Sequence, residues 1–140
     1  MKHHIYTQIE IQADSTTVWN ILADFSNYPN WNPFITTIQG KLKMGERLRI
    51  AIGTFKFEPT IKELEEGRKL SWLGRLLFPG LFDGRHTFEC LPQRDGTTLF
   101  IHQERFSGLL VPFMKKKLDT ETKLGFESMN SALKELAEQH

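Results

Sequence analysis

The C-terminal part of the chain carries an apolar stripe, and this stripe limits the possible folds more than any other feature. Its members recur every three or four residues, as on one face of a helix: Met114, Leu118, Thr122, Phe126, Met129, Leu133 and Leu136. Pro112 precedes the stripe, at a position that the first turn of a helix tolerates. Because a helix buries such a face against another layer, the pattern predicts a long C-terminal helix packed on a second element.

A sheet is predicted as that second element. Apolar and polar residues alternate from Ile5 to Ile11, which is typical of a half-buried strand. Asp14 offers an N-cap for a short helix, and Pro29 and Pro33 break the aromatic-rich segment that follows. Turn signals then recur roughly every 8–12 residues. They separate six candidate strands, at residues 35–40, 47–52, 56–64, 69–74, 82–91 and 98–106.

The predicted order is a strand, a helix, a short helix, six strands and a final helix (β-α-α-β6-α). This order indicates an α+β fold in which a seven-stranded antiparallel sheet packs against the C-terminal helix. Pro59 interrupts the strand at 56–64 and indicates a bulge or an irregular ladder there, because proline donates no hydrogen bond. No repeat or Pro/Gly/Ser-rich linker divides the sequence, so residues 1–140 are interpreted as a single domain.

Charge and cysteine content argue against several classes of function. The 140 residues include 18 Lys and Arg against 17 Asp and Glu, and this balance gives no basis for a nucleic-acid or anionic-membrane partner. Cys90 is the only cysteine, so neither an internal disulfide nor a cysteine zinc cluster is possible. The sequence has neither a signal-peptide pattern nor an apolar run of ~18–20 residues. We therefore predict no stable membrane insertion and, by elimination, a cytoplasmic location.

Apolar residues also concentrate in the connections at one end of the predicted sheet. Because alternate loops of a meander share an end, the loops at 76–81 and 107–113 are grouped with the turn at 53–55 and the aromatic segment 31–34. Loops are normally polar, so this grouping indicates the mouth of a hydrophobic pocket, a plug that closes the core, or a contact surface for a partner. Gly125 in the C-terminal helix is compatible with either close packing or an unfilled space.

Two neighbouring strands direct polar side chains toward the predicted core. The inward faces carry Phe82, His86, Phe88 and Cys90 on one strand and Phe100, His102, Glu104 and Phe106 on the next. An even register in the connecting loop places His86 beside Glu104 and Phe88 beside His102. The pattern therefore predicts a group of two histidines and one carboxylate in apolar surroundings.

The group of His86, His102 and Glu104 has four candidate roles. A buried carboxylate beside an imidazole can act as a general acid or base, and two histidines with a glutamate can hold a metal ion. The three side chains can also satisfy one another as a buried polar network, or orient the polar head of a ligand. We favour the network and the ligand-orienting role over catalysis and place metal binding last, so neither a metal site nor a cofactor is predicted.

Several short strings, in their order along the chain, resemble a known superfamily. They are residues 9–13 leading to Val18 and Trp19, then 24–34, 70–72, 86–88 and 102–110. Together they resemble the START-like superfamily of helix-grip proteins, also called SRPBCC, and within it the polyketide cyclase/dehydrase-like bacterial branch. The likeness spans almost the whole chain, and its specificity comes from the order of the strings rather than from any one of them.

The resemblance implies a curved sheet wrapped around the C-terminal helix, with a ligand cavity between them. Members bind lipids, sterols, polyketides or other hydrophobic molecules; some are cyclases or aromatases, and others activate a chaperone or assist quinone biosynthesis. By position, the resemblance implies cavity residues on the sheet (Trp72, His86, Phe88, Phe100, His102, Glu104 and Phe106), on the helix (Met114, Leu118, Thr122 and Phe126) and at the mouth (Trp31 and Phe34). It transfers no defined catalytic set, so Glu104, His102 and His86 are candidates only.

These observations support three hypotheses of different classes. The first is a binding module for a small hydrophobic or amphipathic molecule, such as a lipid or polyketide, whose polar end meets the His86, His102 and Glu104 group. The second is a cyclase- or dehydratase-type enzyme that uses the same three residues as acid and base groups on a polyketide-like substrate. The third, supported by the apolar loops, is a protein-binding or chaperone-activating module.

Overall fold

The computed structural model describes residues 1–139 of the chain. Its elements, in chain order, are the strand β1 (Lys2–Ile11), the helix α1 (Ser15–Ala23), a 3₁₀ helix (Phe25–Asn30), the strands β2 (Thr37–Gln39), β3 (Arg49–Ile52), β4 (Phe55–Phe57), β5 (Thr60–Glu65), β6 (Lys69–Arg75), β7 (Asp83–Pro92) and β8 (Thr98–Ser107), the helix α2 (Val111–Lys117), a π-helical turn (Leu118–Thr122) and the helix α3 (Lys123–Glu138). None of the helices in the described residues is both long enough and apolar enough to cross a membrane.

The strands form two antiparallel sheets, which corrects one part of the predicted fold. In the described residues a five-stranded sheet has the order β1-β8-β7-β6-β5, and a three-stranded sheet has the order β2-β3-β4. The α+β class, with a curved antiparallel sheet and a long C-terminal helix, is confirmed. The prediction of one seven-stranded sheet is wrong, because eight strands in two sheets take its place.

Pro59 is the physical reason for the extra strand. Proline has no N–H to donate to a ladder, so a continuous strand at 56–64 is not formed. Phe57 ends β4 opposite Ile50 of β3, and Thr60 begins β5, which pairs with β6. The carbonyl of Pro59 still accepts a hydrogen bond from the backbone N–H of Leu48 at 2.8 Å, so a short backbone link joins the two sheets.

The first helix and the 3₁₀ helix close one end of the core. The Asp14 carboxylate caps α1 by accepting a hydrogen bond from the backbone N–H of Thr17 at 2.8 Å, as its position predicted. Tyr28 in the 3₁₀ helix is fully buried and donates its hydroxyl to the carbonyl of Leu22 at 2.6 Å. Burial raises the pKa of Tyr28 far above its ordinary value, so this side chain stays a neutral donor.

The C-terminal helical region runs from Val111 to Glu138 and packs on β1, β8 and α1. Pro112 lies in its first turn, as predicted. The π-helical turn divides the region, and a turn of this kind is frequent at functional sites. Near it the aromatic ring of Phe34 lies against Gly125, so closely that a Cβ atom at this glycine would overlap the ring. Gly125 therefore serves close packing, one of the two alternatives left open by the sequence.

Candidate functional site

A cavity of about 930 Å³ opens between the two sheets and the C-terminal helices. Its apolar wall includes Phe34, Ile50, Ile52, Phe57, Phe82, Phe106, Leu110, Met114 and Leu118. The charged members of the wall besides Glu104 are all exposed: Arg47, Arg49, Lys56, Glu58, Arg75 and Lys117. A volume of this size lies within the range of roughly 300–1,000 Å³ that is typical of small-molecule sites.

Three connections surround the opening and are named here the mouth loops: the turn at 53–55 and the loops at 76–82 and 108–110. Thr54, Leu76 and Leu110 from the three connections all line the cavity, so the sequence correctly grouped them at one end. Two of the loops are joined by backbone hydrogen bonds of 3.0 Å, from Leu109 to Gly80 and from Leu110 to Leu81. Leu77 is 86% exposed and Leu109 is 70% exposed, so these side chains point outward rather than plug the core.

The inner end of the cavity, named here the floor, is formed by Gly84, His86 and Glu104. Strand pairing places His86 opposite Glu104 and Phe88 opposite His102, so the predicted register is confirmed. Nδ1 of His86 lies 3.1 Å from Oε1 of Glu104. The side chains of His86 and Glu104 are 4% and 16% exposed, so His86 is buried, whereas Glu104 is partly buried and reached from the cavity.

Behind the floor a chain of hydrogen bonds runs into the core. Nε2 of His86 lies 2.7 Å from Nε2 of His102, and Nδ1 of His102 lies 2.8 Å from Oδ1 of Asn130. Asn130 in turn donates its side-chain amide to the hydroxyl of Thr7 at 2.9 Å, and Thr7 donates to the backbone carbonyl of His102 at 2.7 Å. We name these five side chains, from Glu104 to Thr7, the floor chain. A buried polar network of this kind was one of the predicted roles of the group.

Aromatic rings enclose the floor chain and set its protonation. Phe126 stacks on His102 with ring centroids 4.0 Å apart and planes 7° apart, and Trp72 stacks on His86 at 5.1 Å. Burial among these rings lowers the pKa of His102 well below its ordinary value, and the nearby His86 lowers it further, although the hydrogen bond to Asn130 opposes the shift. His102 is therefore a neutral imidazole in the folded protein.

The carboxylate of Glu104 has one oxygen free to face a ligand. Oε1 contacts His86, whereas Oε2 makes no hydrogen bond within residues 1–139. Oε2 is not fully buried, so it is open to the cavity that Glu104 lines. Gly84 creates the room for this oxygen, because a Cβ atom at Gly84 would overlap Oε2.

The family to which the chain belongs follows from a comparison with family models. The model described as "Polyketide cyclase / dehydrase and lipid transport" matches residues 2–138. The chain belongs to this family. The resemblance based on the short strings is thus confirmed, while no curated protein sequence matches the chain.

Solved structures support the same fold for this polyketide cyclase/dehydrase-type chain. A hypothetical protein from Helicobacter pylori superposes with a TM-score of 0.84 at 17% identity, over 96% of this chain and 88% of that one. A START superfamily protein from Mycobacterium smegmatis gives 0.74 at 24% identity, over 98% of both chains. The Zhui aromatase/cyclase from Streptomyces sp. R1128 gives 0.76 at 15% identity, over 99% of this chain and 95% of that one. Identities this low show the fold alone.

Within this family member the residues predicted to line a ligand site fall into two groups. Seven lie in the cavity wall: Phe34, His86, Glu104, Phe106, Met114, Leu118 and Thr122. The other six lie outside that wall, five of them buried in the core and one half-buried: Trp31, Trp72, Phe88, Phe100, His102 and Phe126. For the second group a direct ligand contact stays a prediction. Trp72 and Phe126 stack on the two histidines of the floor chain, whereas the ring of Trp31 contacts Tyr28 instead.

Sequence reasoning missed three residues of the floor region: Thr7, Gly84 and Asn130. Asn130 lies four residues after Phe126, so helical spacing alone would have placed it on the buried face. Thr7 lies on the same face of β1 as its inward isoleucines. Neither residue was included in the predicted site, because the predictions for the helix and the strand relied on apolar residues. Gly84 carried no signal, because its importance depends on where the Glu104 carboxylate lies.

Metal and thiol chemistry find no support among the described residues. Residues 1–139 contain no group of three or more His, Cys, Asp or Glu side chains arranged to hold a metal ion. The ring nitrogens of His86 and His102 are also already engaged in the floor chain. Burial raises the pKa of the Cys90 thiol to about 12, so this residue is an inert member of the core rather than a nucleophile.

Proposed function

We propose that this protein binds a small hydrophobic or amphipathic molecule, such as a lipid or a polyketide, in the cavity between the sheets and the C-terminal helices. The apolar wall would bury the body of the molecule, and Glu104 would contact its polar end. The supporting observation is an open, mostly apolar cavity of about 930 Å³ with one accessible carboxylate at its inner end. Apolar walls with a few convergent polar groups are typical of ligand sites.

Native mass spectrometry of the purified protein, followed by organic extraction, tests this proposal. We expect a stoichiometric apolar molecule to copurify, or else a rise in melting temperature with members of a panel of lipids, quinones and polyketide-like aromatics. An empty protein whose melting temperature no member of the panel changes would contradict the proposal.

A pair of variants locates the binding site. Met114→Trp adds bulk to the cavity wall and should weaken binding of the ligand so identified by tenfold or more. Leu124→Trp is the matched control, because Leu124 lies on the same helical region but is 62% exposed and outside the wall. Equal affinities of the two variants would contradict the cavity as the site.

A second candidate function is proton-transfer catalysis at the same floor, such as cyclisation, dehydration or isomerisation of a carbonyl-containing substrate. The observation that favours it is the Glu104 carboxylate, which contacts an imidazole through Oε1 and faces the cavity through Oε2. In an isomerisation, Oε2 would accept a proton from the carbon beside the carbonyl, and the pair would return it to another atom of the same substrate.

The variant Glu104→Gln separates binding from catalysis. Its amide cannot accept and return a proton at neutral pH, so turnover of a β-polycarbonyl test substrate should fall by about 10²–10⁴-fold while the substrate still binds. Glu89→Gln on the outward face of the same sheet is the control and should retain full turnover. Unchanged turnover in Glu104→Gln would eliminate the catalytic candidate without affecting the binding proposal.

A further inference from the structure

The direction of each hydrogen bond in the floor chain can be deduced from its deepest member. The backbone carbonyl of His102 can only accept, so the Thr7 hydroxyl donates its single proton to it. The Thr7 oxygen then accepts from Asn130, which requires the amide nitrogen of Asn130 to face it at 2.9 Å. The amide oxygen of Asn130 must therefore face Nδ1 of His102 at 2.8 Å, and this ring nitrogen carries a proton.

The protonation of His102 determines the direction of the hydrogen bonds between it and the cavity. His102 is neutral and protonated on Nδ1, so its Nε2 is an acceptor. Nε2 of His86, 2.7 Å away, must then be the donor of that hydrogen bond. The remaining contact, from Nδ1 of His86 to Oε1 of Glu104, is attractive when one proton lies between the two atoms. That proton sits either on Oε1 of a neutral Glu104 or on Nδ1 of a cationic His86.

Both proton positions have the same consequence for Oε2 of Glu104. In each of them the proton of the pair lies on the Oε1 side, so Oε2 presents lone pairs alone to the cavity. With the same number of protons on His86 and Glu104, a carboxylic acid with its proton on Oε2 would need a neutral His86 that donates from Nδ1 and accepts at Nε2. The floor chain excludes that tautomer, because Nε2 of His86 has to donate to His102.

We propose that the floor selects a ligand whose inner end carries a hydroxyl group, an alcohol, enol or phenol, which donates a hydrogen bond to Oε2 of Glu104. A ligand that ends in an ether, ester or ketone finds only acceptors there and leaves Oε2 without a partner. Buried polar atoms left unpaired reduce affinity strongly, so the discrimination acts against such ligands. This inference rests on the proposed binding function and specifies the polar end of the ligand.

A matched pair of small aromatics tests the proposal by titration calorimetry: 2-naphthol, which carries a hydroxyl, and 2-methoxynaphthalene, in which a methyl group replaces the proton. We expect wild-type protein to bind the naphthol at least tenfold more tightly. Equal affinities would overturn the hydroxyl selection while leaving the binding function intact. Binding of neither compound, together with no response to the lipid and quinone panel, would overturn the binding function and this inference with it.

Two substitutions at Glu104 test the direction of the hydrogen bonds in the floor chain. Glu104→Leu removes the acceptor and should reduce the naphthol affinity to that of the ether. In Glu104→Gln the amide nitrogen should donate to Nδ1 of His86, which leaves the amide oxygen facing the cavity and preserves the preference for naphthol. A preference for the ether in Glu104→Gln would mean that the hydrogen bonds of the floor chain point in the opposite direction and would overturn the proposal. Glu89→Gln, on the outward face of β7, is the control and should keep the wild-type ratio.

Discussion

The floor chain and the mouth loops differ in how their side chains are held. Each of the five side chains of the floor chain has a hydrogen-bond partner, and aromatic rings enclose the two histidines. In the mouth loops large apolar side chains such as Leu77 and Leu109 face solvent, and Leu77 has a backbone φ of 62°, which is rare for a residue with a side chain. The floor is fixed by side-chain hydrogen bonds and buried rings, whereas the mouth loops are held by backbone hydrogen bonds and leave large apolar side chains exposed.

This difference suggests a division of roles between the two regions. Glu104 can present Oε2 in a single protonation state only if neighbouring groups fix the orientation and the proton of its carboxylate. The floor chain supplies these neighbours. An opening that admits a ligand is built from segments that cost little to rearrange, and few buried contacts are typical of such segments. Substitutions should therefore have large effects at the floor and small effects at the mouth.

The largest effect is expected at Phe126. This ring is fully buried and stacks on His102, so Phe126→Ala removes a large core side chain and one wall around the floor chain. We expect the free energy of unfolding, measured by urea denaturation, to fall by about 3–5 kcal/mol. Leu124→Ala, two residues earlier and exposed, is the control and should change it by less than about 0.5 kcal/mol. A loss below about 1 kcal/mol in Phe126→Ala would contradict the picture of a tightly held floor.

An intermediate effect is expected at Gly84, where a methyl group would overlap Oε2 of Glu104. Gly84→Ala should displace the carboxylate from His86, lower the free energy of unfolding by about 1–3 kcal/mol and abolish the preference for naphthol over its methyl ether. Gly74→Ala is a close control, because Gly74 pairs with Gly84 across β6 and β7 and its added methyl would meet the Phe57 ring at 3.3 Å. Equal behaviour of the two alanine variants would count against the floor geometry.

The protonation of His102 gives the floor a dependence on pH. Its folded-state pKa is lowered, so below the ordinary value of about 6.5 the unfolded chain takes up a proton that the folded chain does not. The stability from this residue is therefore complete above that pH and falls by up to about 1.4 kcal/mol per pH unit below it.

Comparison with a variant isolates this contribution. His102→Phe removes the titrating group, so its free energy of unfolding should fall less steeply than that of the wild type between pH 6.5 and 5. Phe100→Leu is the control, because it disturbs a neighbouring buried ring and leaves His102 in place, so it should keep the wild-type slope. Identical slopes for wild type and His102→Phe in urea titrations would show that His102 is not held neutral.

The smallest effect is expected at the mouth. Leu77 has a φ in the left-handed region, a conformation that costs a residue with a Cβ atom about 1–2 kcal/mol and that glycine adopts freely. Because glycine also gains entropy in the unfolded chain, we expect Leu77→Gly to raise the free energy of unfolding by no more than about 1 kcal/mol. A loss of more than about 1 kcal/mol would show that the exposed side chain contributes to packing, and the contrast between mouth and floor would then fail.

The parts of the fold that depend on local patterns could be predicted from the sequence. Alternation in the last two strands gave the inward faces and the pairing of His86 with Glu104, because a strand repeats every two residues and a short turn fixes its register. The helical stripe gave the C-terminal layer. The break at Pro59 was also visible, although its outcome, two separate sheets, depends on how the chain continues on either side.

The parts that depend on contacts between distant residues could not be predicted. Thr7 and Asn130 are 123 positions apart and meet at a single hydrogen bond, and nothing local to either residue indicates the other. The space that Gly84 leaves for Glu104, and the ring of Phe34 over Gly125, likewise arise only after the sheet and helix pack. The sequence therefore indicated which polar residues face inward but not how their protons are arranged.

The protonation of the two buried histidines is the most direct test of the floor chain. A long-range ¹H–¹⁵N correlation spectrum of the protein with ¹⁵N-labelled histidine, recorded at pH 7, distinguishes a protonated ring nitrogen from a bare one. We expect His102 to carry its proton on Nδ1 and to leave Nε2 bare, and His86 to be protonated on Nε2. A spectrum in which His102 is protonated on Nε2 would contradict this expectation, because the direction of every hydrogen bond from Asn130 to Glu104 would then be reversed.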